Sequence, residues 1–428
     1  MATTTRSTVP FNGVDSLMRG LDEPRRPQTI ELEVAISGRL DDRRVRRAVA
    51  LAVGRHPMAR ARQLPAKPLD LNDAWQITDG LPTDPVEVAD ADAAVEVSTM
   101  RDRFLSAHVD LGTAPPFRLL VVHEGAGDRV MLSVNHAAFD GVGALRLLQS
   151  ISRAYAGQDD PLPDVDPLGV RQLLDGDSSD HQRRGVRSPR PSAGAPARLA
   201  RSSSGGGPGF GVLHLDLDVA AAAPPPGTTV NDVLMAALHL AVAGWNASHG
   251  APCGRVSIMM PVNRRPAAWR GEVLANLVLS AQVASTPADR ARPERLVEVV
   301  AAQTQAIKSG GVGGSAALAK TSRTPVVLRR LLPHVIDAVS EHTADTTVLS
   351  NLGSVDDPPW FGERGRGLWF GPPPRLPVIC TFGAASTDGR LGISLRWCRS
   401  ALSTSAAAEL GDAFTDALDA VGGTRSSP

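Results

Sequence analysis

Val134-Asn135-His136-Ala137-Ala138-Phe139-Asp140-Gly141 is an H-x-x-x-D-G element, a histidine followed at a fixed interval by an Asp-Gly pair. The run Arg129 to Val134 before it is apolar and strand-like. After it, Leu145, Leu148, Ile151 and Tyr155 recur on one face of a helix. His136 is therefore expected at the end of a strand, and Asp140-Gly141 at the start of a helix. Side chains at such junctions are held by the scaffold while their tips face a cleft. An imidazole, a carboxylate and a glycine at this spacing suit a general base with a fixed support.

Working outward, the first half reads as mixed α/β. Thr29 to Ile36 alternates as a strand, and Asp41 caps a helix to about Gly54 that presents Val45, Ala48, Val49, Ala52 and Val53 on one face. Arg55-His56-Pro57 ends it, because proline disfavours helix in the residue before it. His56 there is expected to pack rather than to react. Phe117 to His123 and Arg129 to Asn135 form a hairpin through Glu124 to Asp128. From 166 to 209 the periodicity dissolves into a Ser-, Pro- and Gly-rich stretch punctuated by Arg183, Arg184, Arg187, Arg190, Arg198 and Arg201. It reads as a flexible linker, or as a basic surface meeting an acidic carrier protein. The second half restarts with strands at Gly211 to Asp218, Arg255 to Val262, Leu277 to Val283 and Leu391 to Trp397. Its helices are a Thr229-capped one to about Trp245, Pro293 to Lys308, and a last one marked by Leu410, Phe414, Leu418 and Val421. The cluster Ser309 to Gly314 has no Gly-Lys-Ser/Thr after it and reads as a connector. Residues 1–165 are thus a first lobe, 166–209 a linker and 210–428 a second lobe.

Composition narrows the function. The chain has 428 residues, 45 basic against 45 acidic side chains, and one tyrosine, Tyr155. No excess charge or aromatic platform calls for nucleic acid or an anionic membrane. Lys67, Lys308 and Lys320 are the only lysines, which with the Ala, Gly and Pro content suggests a GC-rich, bacterial gene. Cys253, Cys380 and Cys398 are too scattered for a disulfide framework or a zinc site and read as free thiols. No signal-peptide core or membrane-length run is present, so a cytoplasmic protein is expected; monomer is the default for two lobes whose site lies within one chain. A serine hydrolase is excluded for want of a Gly-x-Ser-x-Gly elbow.

Several stretches together resemble the chloramphenicol acetyltransferase-like superfamily, which includes nonribosomal-peptide condensation domains, wax ester synthase/diacylglycerol acyltransferases and polyketide-associated acyltransferases. They are Gly13 to Met18, Gly38 to Asp41 with Arg55 to Arg62, Asp110 to Arg118, Pro261-Val262-Asn263-Arg264-Arg265-Pro266, Ala275-Asn276 and Ser350-Asn351-Leu352-Gly353. Their order spans nearly the whole chain. The resemblance implies an α/β (α+β) fold of two pseudo-symmetric lobes with an active-site tunnel between them. It makes His136 the catalytic histidine and Asp140 the partner of Arg265, with Arg264 as the alternative. Two departures stand out: Asn135 fills the first place of the family's histidine pair, and Ala275 stands where glycine is usual.

The expected chemistry is transfer of an acyl group from a thioester, on coenzyme A or a phosphopantetheinyl carrier protein, to an alcohol or amine acceptor. His136 would be the general base and Gly141 N–H an oxyanion donor, with no metal and no bound cofactor. Asn276 either touches substrate or fixes a turn; Ser350 and Asn351 are a structural bridge at the substrate site. Lipid O-acylation of the wax ester kind and a degenerate docking protein are the alternative readings.

Overall fold

Alternation along Thr29–Ile36 (β2) sorts Ile30, Leu32 and Val34 to one face and Thr29, Glu31 and Glu33 to the other. The structure, a computed structural model, describes residues 7–67, 69–172, 194–202, 206–269, 271–310, 325–329 and 343–422. β2 lies in a five-stranded sheet with Gly127–Asn135 (β7), Phe117–Glu124 (β6) and Val86–Asp90 (β5) on one side and Gly365–Gly371 (β12) on the other. The apolar face of β2 meets helices Asp42–Arg55 (α2) and Gly141–Ala156 (α4) in one core. Asp41 caps α2 by accepting from Arg44 N–H. Helix Ala94–Ser106 (α3) lies over the opposite face.

The second lobe is a six-stranded sheet, in the order Val278–Ser285 (β10), Val256–Asn263 (β9), Thr347–Ser354 (β11), Cys380–Thr387 (β13), Arg390–Cys398 (β14) and Phe210–Asp218 (β8). β9, β11 and β13 run parallel; the outer pairings are antiparallel. Helices Val230–Ser248 (α5), Pro293–Gly310 (α6) and Thr404–Gly422 (α7) belong to its core. Thr229 and Asp232 form the capping box that starts α5. A small sheet of Thr8–Pro10 (β1), Ala74–Ile77 (β4) and Ala61–Gln63 (β3) and helix Gly13–Leu21 (α1) complete the first lobe.

The fold is thus mixed α/β with two sheet-bearing lobes, but the boundaries drawn at 165 and 210 need correction. β12, from the second half of the chain, pairs antiparallel with β2 and so belongs to the first sheet. It crosses the second sheet where glycines remove the obstacle. A Cβ on Gly383 would stand 1.7 Å from the Phe370 carbonyl oxygen, and one on Gly392 1.9 Å from that of Leu368. The linker also begins too early and is not free throughout. Val170 and Arg171 are buried, with Arg171 paired to Asp15 under α1. Further on, Leu199 is buried and Asn246 holds Arg198 and Ala200 by their main chains. Arg183, Arg184, Arg187 and Arg190, the 203–205 segment and residues 311–314 of the glycine cluster lie outside the described residues. Ser309 and Gly310 extend α6.

β2's alternation ordinarily marks a strand with one wet face, yet all eight of its residues are buried. The polar face is covered by α3 and by the second lobe. Glu33 is bonded by Arg101 at 2.6 and 2.7 Å and by Arg129 at 2.8 Å. Burial favours the protonated Glu33, but these cations hold it well below the usual carboxylate range. Glu31 has no such help. Neither of its oxygens has a hydrogen-bond partner, and the Arg396 guanidinium stops 3.9 Å away. Burial, with Glu33 and Asp102 nearby, pushes Glu31 up to about 7 against the pull of Arg396 and Arg101.

Two outcomes follow for stability. Gly392→Ala should cost about 1–3 kcal/mol by forcing β12 off the second sheet, measured by urea unfolding. Glu31 is raised in the folded state, so its contribution is complete below pH 4.5 and is lost as pH climbs through about 7. Glu31→Gln should flatten that decline in unfolding curves recorded across the interval.

Candidate active site

His136 follows directly from β7. Its main-chain N–H donates to Gln28 O at 2.8 Å and its carbonyl accepts from the Asn276 side-chain amide at 2.7 Å. The residue is thus gripped from both lobes. Its Nδ1 lies 3.0 Å from the Phe139 carbonyl. A carbonyl only accepts, so Nδ1 carries the proton and Nε2 is left as the basic nitrogen. Burial pushes the imidazole below its ordinary value, against the pull of the Phe139 carbonyl and Asp140. Burial thus favours the neutral ring.

Asp140 is the N-cap of α4, accepting from Gly143 N–H at 2.8 Å. It also meets Arg265 in a two-pronged pair, with Nη1 to Oδ2 at 2.8 Å and Nη2 to Oδ1 at 2.9 Å. Leu277 N–H completes Oδ2 at 2.8 Å. The guanidinium spends its remaining hydrogens on the carbonyls of Val273 and Ala275 and on Asn263. Both side chains are buried. The partner is Arg265 rather than Arg264, whose main-chain N–H continues the ladder to Leu277. A second clasp lies two turns along α4, where the buried Arg146 binds Glu272 at 2.6 Å.

Gly141 opens α4 under the crossing strand. A Cβ there would come within 2.8 Å of the Phe370 ring and 3.1 Å of Leu352. The N–H groups of Gly141 and Val142 have no partner among the described residues. Asn135 turns away from the cleft: its amide donates to Asp22 at 2.8 Å and to Val109 O at 2.9 Å, while its oxygen accepts from Ala137 N–H. His108 bonds the same Asp22 at 2.9 Å. Asp22 and His108 were not singled out by sequence; a polar residue at 135 was the one signal that a buried partner had to exist.

These groups border a mostly apolar cavity of about 320 Å³ between the lobes. Val14, Met18, Leu21 and Ile30 face it from the first lobe; β9, β10 and β11 face it from the second. His136, Asp140, Gly141, Asn276, Ser350 and Asn351 all line it, whereas Asn135 does not. Asn351 also closes its own turn, accepting from Gly353 N–H at 2.8 Å. The 370–378 segment, with Phe370, Pro372, Arg375 and Val378, forms a wall that sequence reading missed. His56 lies elsewhere, 2.6 Å from Ser150 in a buried network with Asp160 and Arg146. Burial, reinforced by Arg146, lowers it to about 4.

Removing one member of the Asp140–Arg265 pair strands a buried charge. Arg265→Met should cost about 3–5 kcal/mol in urea unfolding, and Asp140→Asn in that background should cost much less than it does alone.

No protein-family model matches the chain. It is 34% identical over 373 residues to the uncharacterized protein Rv2305 of Mycobacterium tuberculosis (strain ATCC 25618 / H37Rv), covering 82% of this chain and 85% of the relative. The uncharacterized protein MT2362 of strain CDC 1551 / Oshkosh matches with the same figures. Among solved structures, the first condensation domain of the calcium-dependent antibiotic synthetase, in complex with a substrate analogue, superposes with a TM-score of 0.71 at 15% identity, covering 98% of each chain. A mutant starter condensation domain of rhizomide synthetase RzmA, in complex with C8-CoA and Leu-SNAC, gives 0.70 at 16% identity, covering 98% of this chain and 96% of that one. The fold is that of the condensation domains, and the chain belongs to the family of the two mycobacterial proteins.

Proposed function

We propose that the chain is a condensation-type acyltransferase. It moves an acyl group from a coenzyme A or carrier-protein thioester to an alcohol or amine. The observation that carries this reading is a neutral His136, fixed as the Nδ1–H tautomer, on the wall of an apolar cavity between the lobes. A structural neighbour in complex with C8-CoA and Leu-SNAC supports the same class of substrate.

The acceptor's oxygen or nitrogen attacks the thioester carbonyl carbon and gives its proton to His136 Nε2. The carbonyl oxygen takes up the negative charge beside Gly141 N–H, at the positive end of α4. The C–S bond then breaks, and the imidazolium returns the proton to the departing thiolate. Asp140 takes no proton; its oxygens are committed to Arg265, Gly143 and Leu277. Asn135 holds the loop through Asp22 and Val109, so its place in the motif is compatible with activity. That favours an enzyme over a docking protein.

The test offers acyl-CoA and acyl-carrier donors with pooled alcohols and amines, followed by free-thiol release and mass spectrometry of products. His136→Ala should lower turnover by about 10²–10⁴-fold. Burial depresses the imidazole, so wild-type kcat/KM should rise with pH through a midpoint below the ordinary histidine value and stay level through neutrality. Full activity in the alanine variant would overturn the assignment.

A further inference from the structure

We infer that the edge of β10 turned away from β9 seats the pantetheine arm of the donor, whose secondary amides pair with the strand's main chain as an added strand would. The inference rests on the acyl-transfer reading above. β10 is the first strand of the second sheet and has β9 as its only neighbour among the described strands. Val278 is opposite Asn263, and Arg264 N–H donates to Leu277 O at 2.9 Å. In an antiparallel pair the bonded positions alternate. Leu277, Leu279, Ala281 and Val283 therefore turn their main-chain groups toward β9, and Val278, Ser280, Gln282 and Ala284 turn theirs outward.

Ala284 bears this out. Its N–H donates to Gln303 Oε1 at 3.0 Å, and its carbonyl accepts from Gln303 Nε2 at 2.9 Å. A side-chain amide thus closes the edge at that point. No such cover reaches Val278, Ser280 or Gln282 among the described residues. Ser280 and Gln282 are exposed, and Val278 and Ser280 line the cavity that His136 lines. An open, unpaired strand edge is a template for an extended chain.

The edge also starts at the reacting centre. Asn276 bonds the His136 carbonyl and Leu277 N–H bonds Asp140, just before β10 begins. A chain whose thioester carbon lies at His136 then runs past Val278, Ser280 and Gln282, with outward groups recurring about every 7 Å. Alcohol and amine acceptors need carry no amide. Every coenzyme A or carrier-protein donor carries the two secondary amides of pantetheine, separated by two methylenes. Across the cavity, Val14, Met18 and Leu21 present apolar side chains, so the polar side of the arm is met by β10. Ser280 N–H is the donor placed to bond a pantetheine carbonyl.

The experiment uses the full chain and the acyl group identified by the donor panel, presented on pantetheine, on N-acetylcysteamine and on an amide-free alkyl thiol. Ser280→Pro deletes one outward N–H, a change an edge strand accommodates; Ser280→Ala keeps the main chain. Ser280→Pro should raise KM for the pantetheine thioester about fivefold to tenfold, the worth of one hydrogen bond. Ser280→Ala should keep the wild-type ratio of KM between the pantetheine and amide-free thioesters, and Ser280→Pro should shift that ratio by the same factor, about fivefold to tenfold. Equal loss on amide-bearing and amide-free donors, or no loss on either, would overturn the inference while leaving acyl transfer standing. If Ser280→Pro does not fold, the wild type decides: equal kcat/KM for pantetheine and amide-free thioesters overturns it. Wild-type turnover of none of the donors would overturn acyl transfer itself, and this inference with it.

Discussion

The buried pair of Asp140 and Arg265 is the constraint on which the remaining geometry hangs. It joins the first turn of α4 to the connection between β9 and β10, so one contact ties the two lobes at the cavity wall. Burying two charges costs several kcal/mol per ion unless their hydrogen-bonding capacity is met. Here each carboxylate oxygen has an additional main-chain donor, and the guanidinium is shared among carbonyls and Asn263. Such saturation fixes direction as well as distance. The N-terminus of α4 is therefore aimed at the cavity by a hydrogen-bond-saturated ion pair.

The lobes are also interleaved. β12 leaves the second half of the chain to complete the first sheet, and it passes over β13 and β14 only because Gly383 and Gly392 lack side chains. Phe370 ends on the cavity side of that strand, pressed against Gly141. Three glycines far apart in sequence thus answer one crossing. Along the same seam, Arg396 of β14 reaches Thr29 and Leu105 in the first lobe and leaves Glu31 without a direct bond. The polar seam is incompletely satisfied where the Asp140–Arg265 clasp is complete.

That contrast tracks what could be read beforehand. The junction at His136, the cap at Asp140, the helix from Asp41 and the hairpin into β7 all depend on neighbours within a few residues, and local periodicity and capping carry that information. Arg265 came from the resemblance of its motif, because nothing local to it names a partner in α4. β12's crossing, the Asp22–Asn135–His108 chain and the anchoring of Arg171 and Leu199 had no local signal. Each depends on a contact between residues tens to hundreds of positions apart. The stretch read as linker misled for the same reason: its composition is that of a solvated segment, while Asn246 and Asp15 satisfy parts of it from a distance.

His136 itself belongs to both lobes. Its N–H is held by Gln28 of the first lobe, its carbonyl by Asn276 of the second, and its ring by the Phe139 carbonyl within its own loop. A shift of one lobe against the other would pull on the residue's main chain before it changed the ring's tautomer. Asn276 lies at the entry to β10, and Arg265, just past the end of β9, grips the neighbouring Val273 and Ala275 carbonyls, so any motion that releases the His136 carbonyl also strains the ion pair. The placement of His136 and the seating of one lobe on the other are therefore one mechanical variable. The apolar cavity between the lobes is free to vary in lining as long as that entry stays fixed. This arrangement lets the fold keep His136 in one place while the surrounding walls differ.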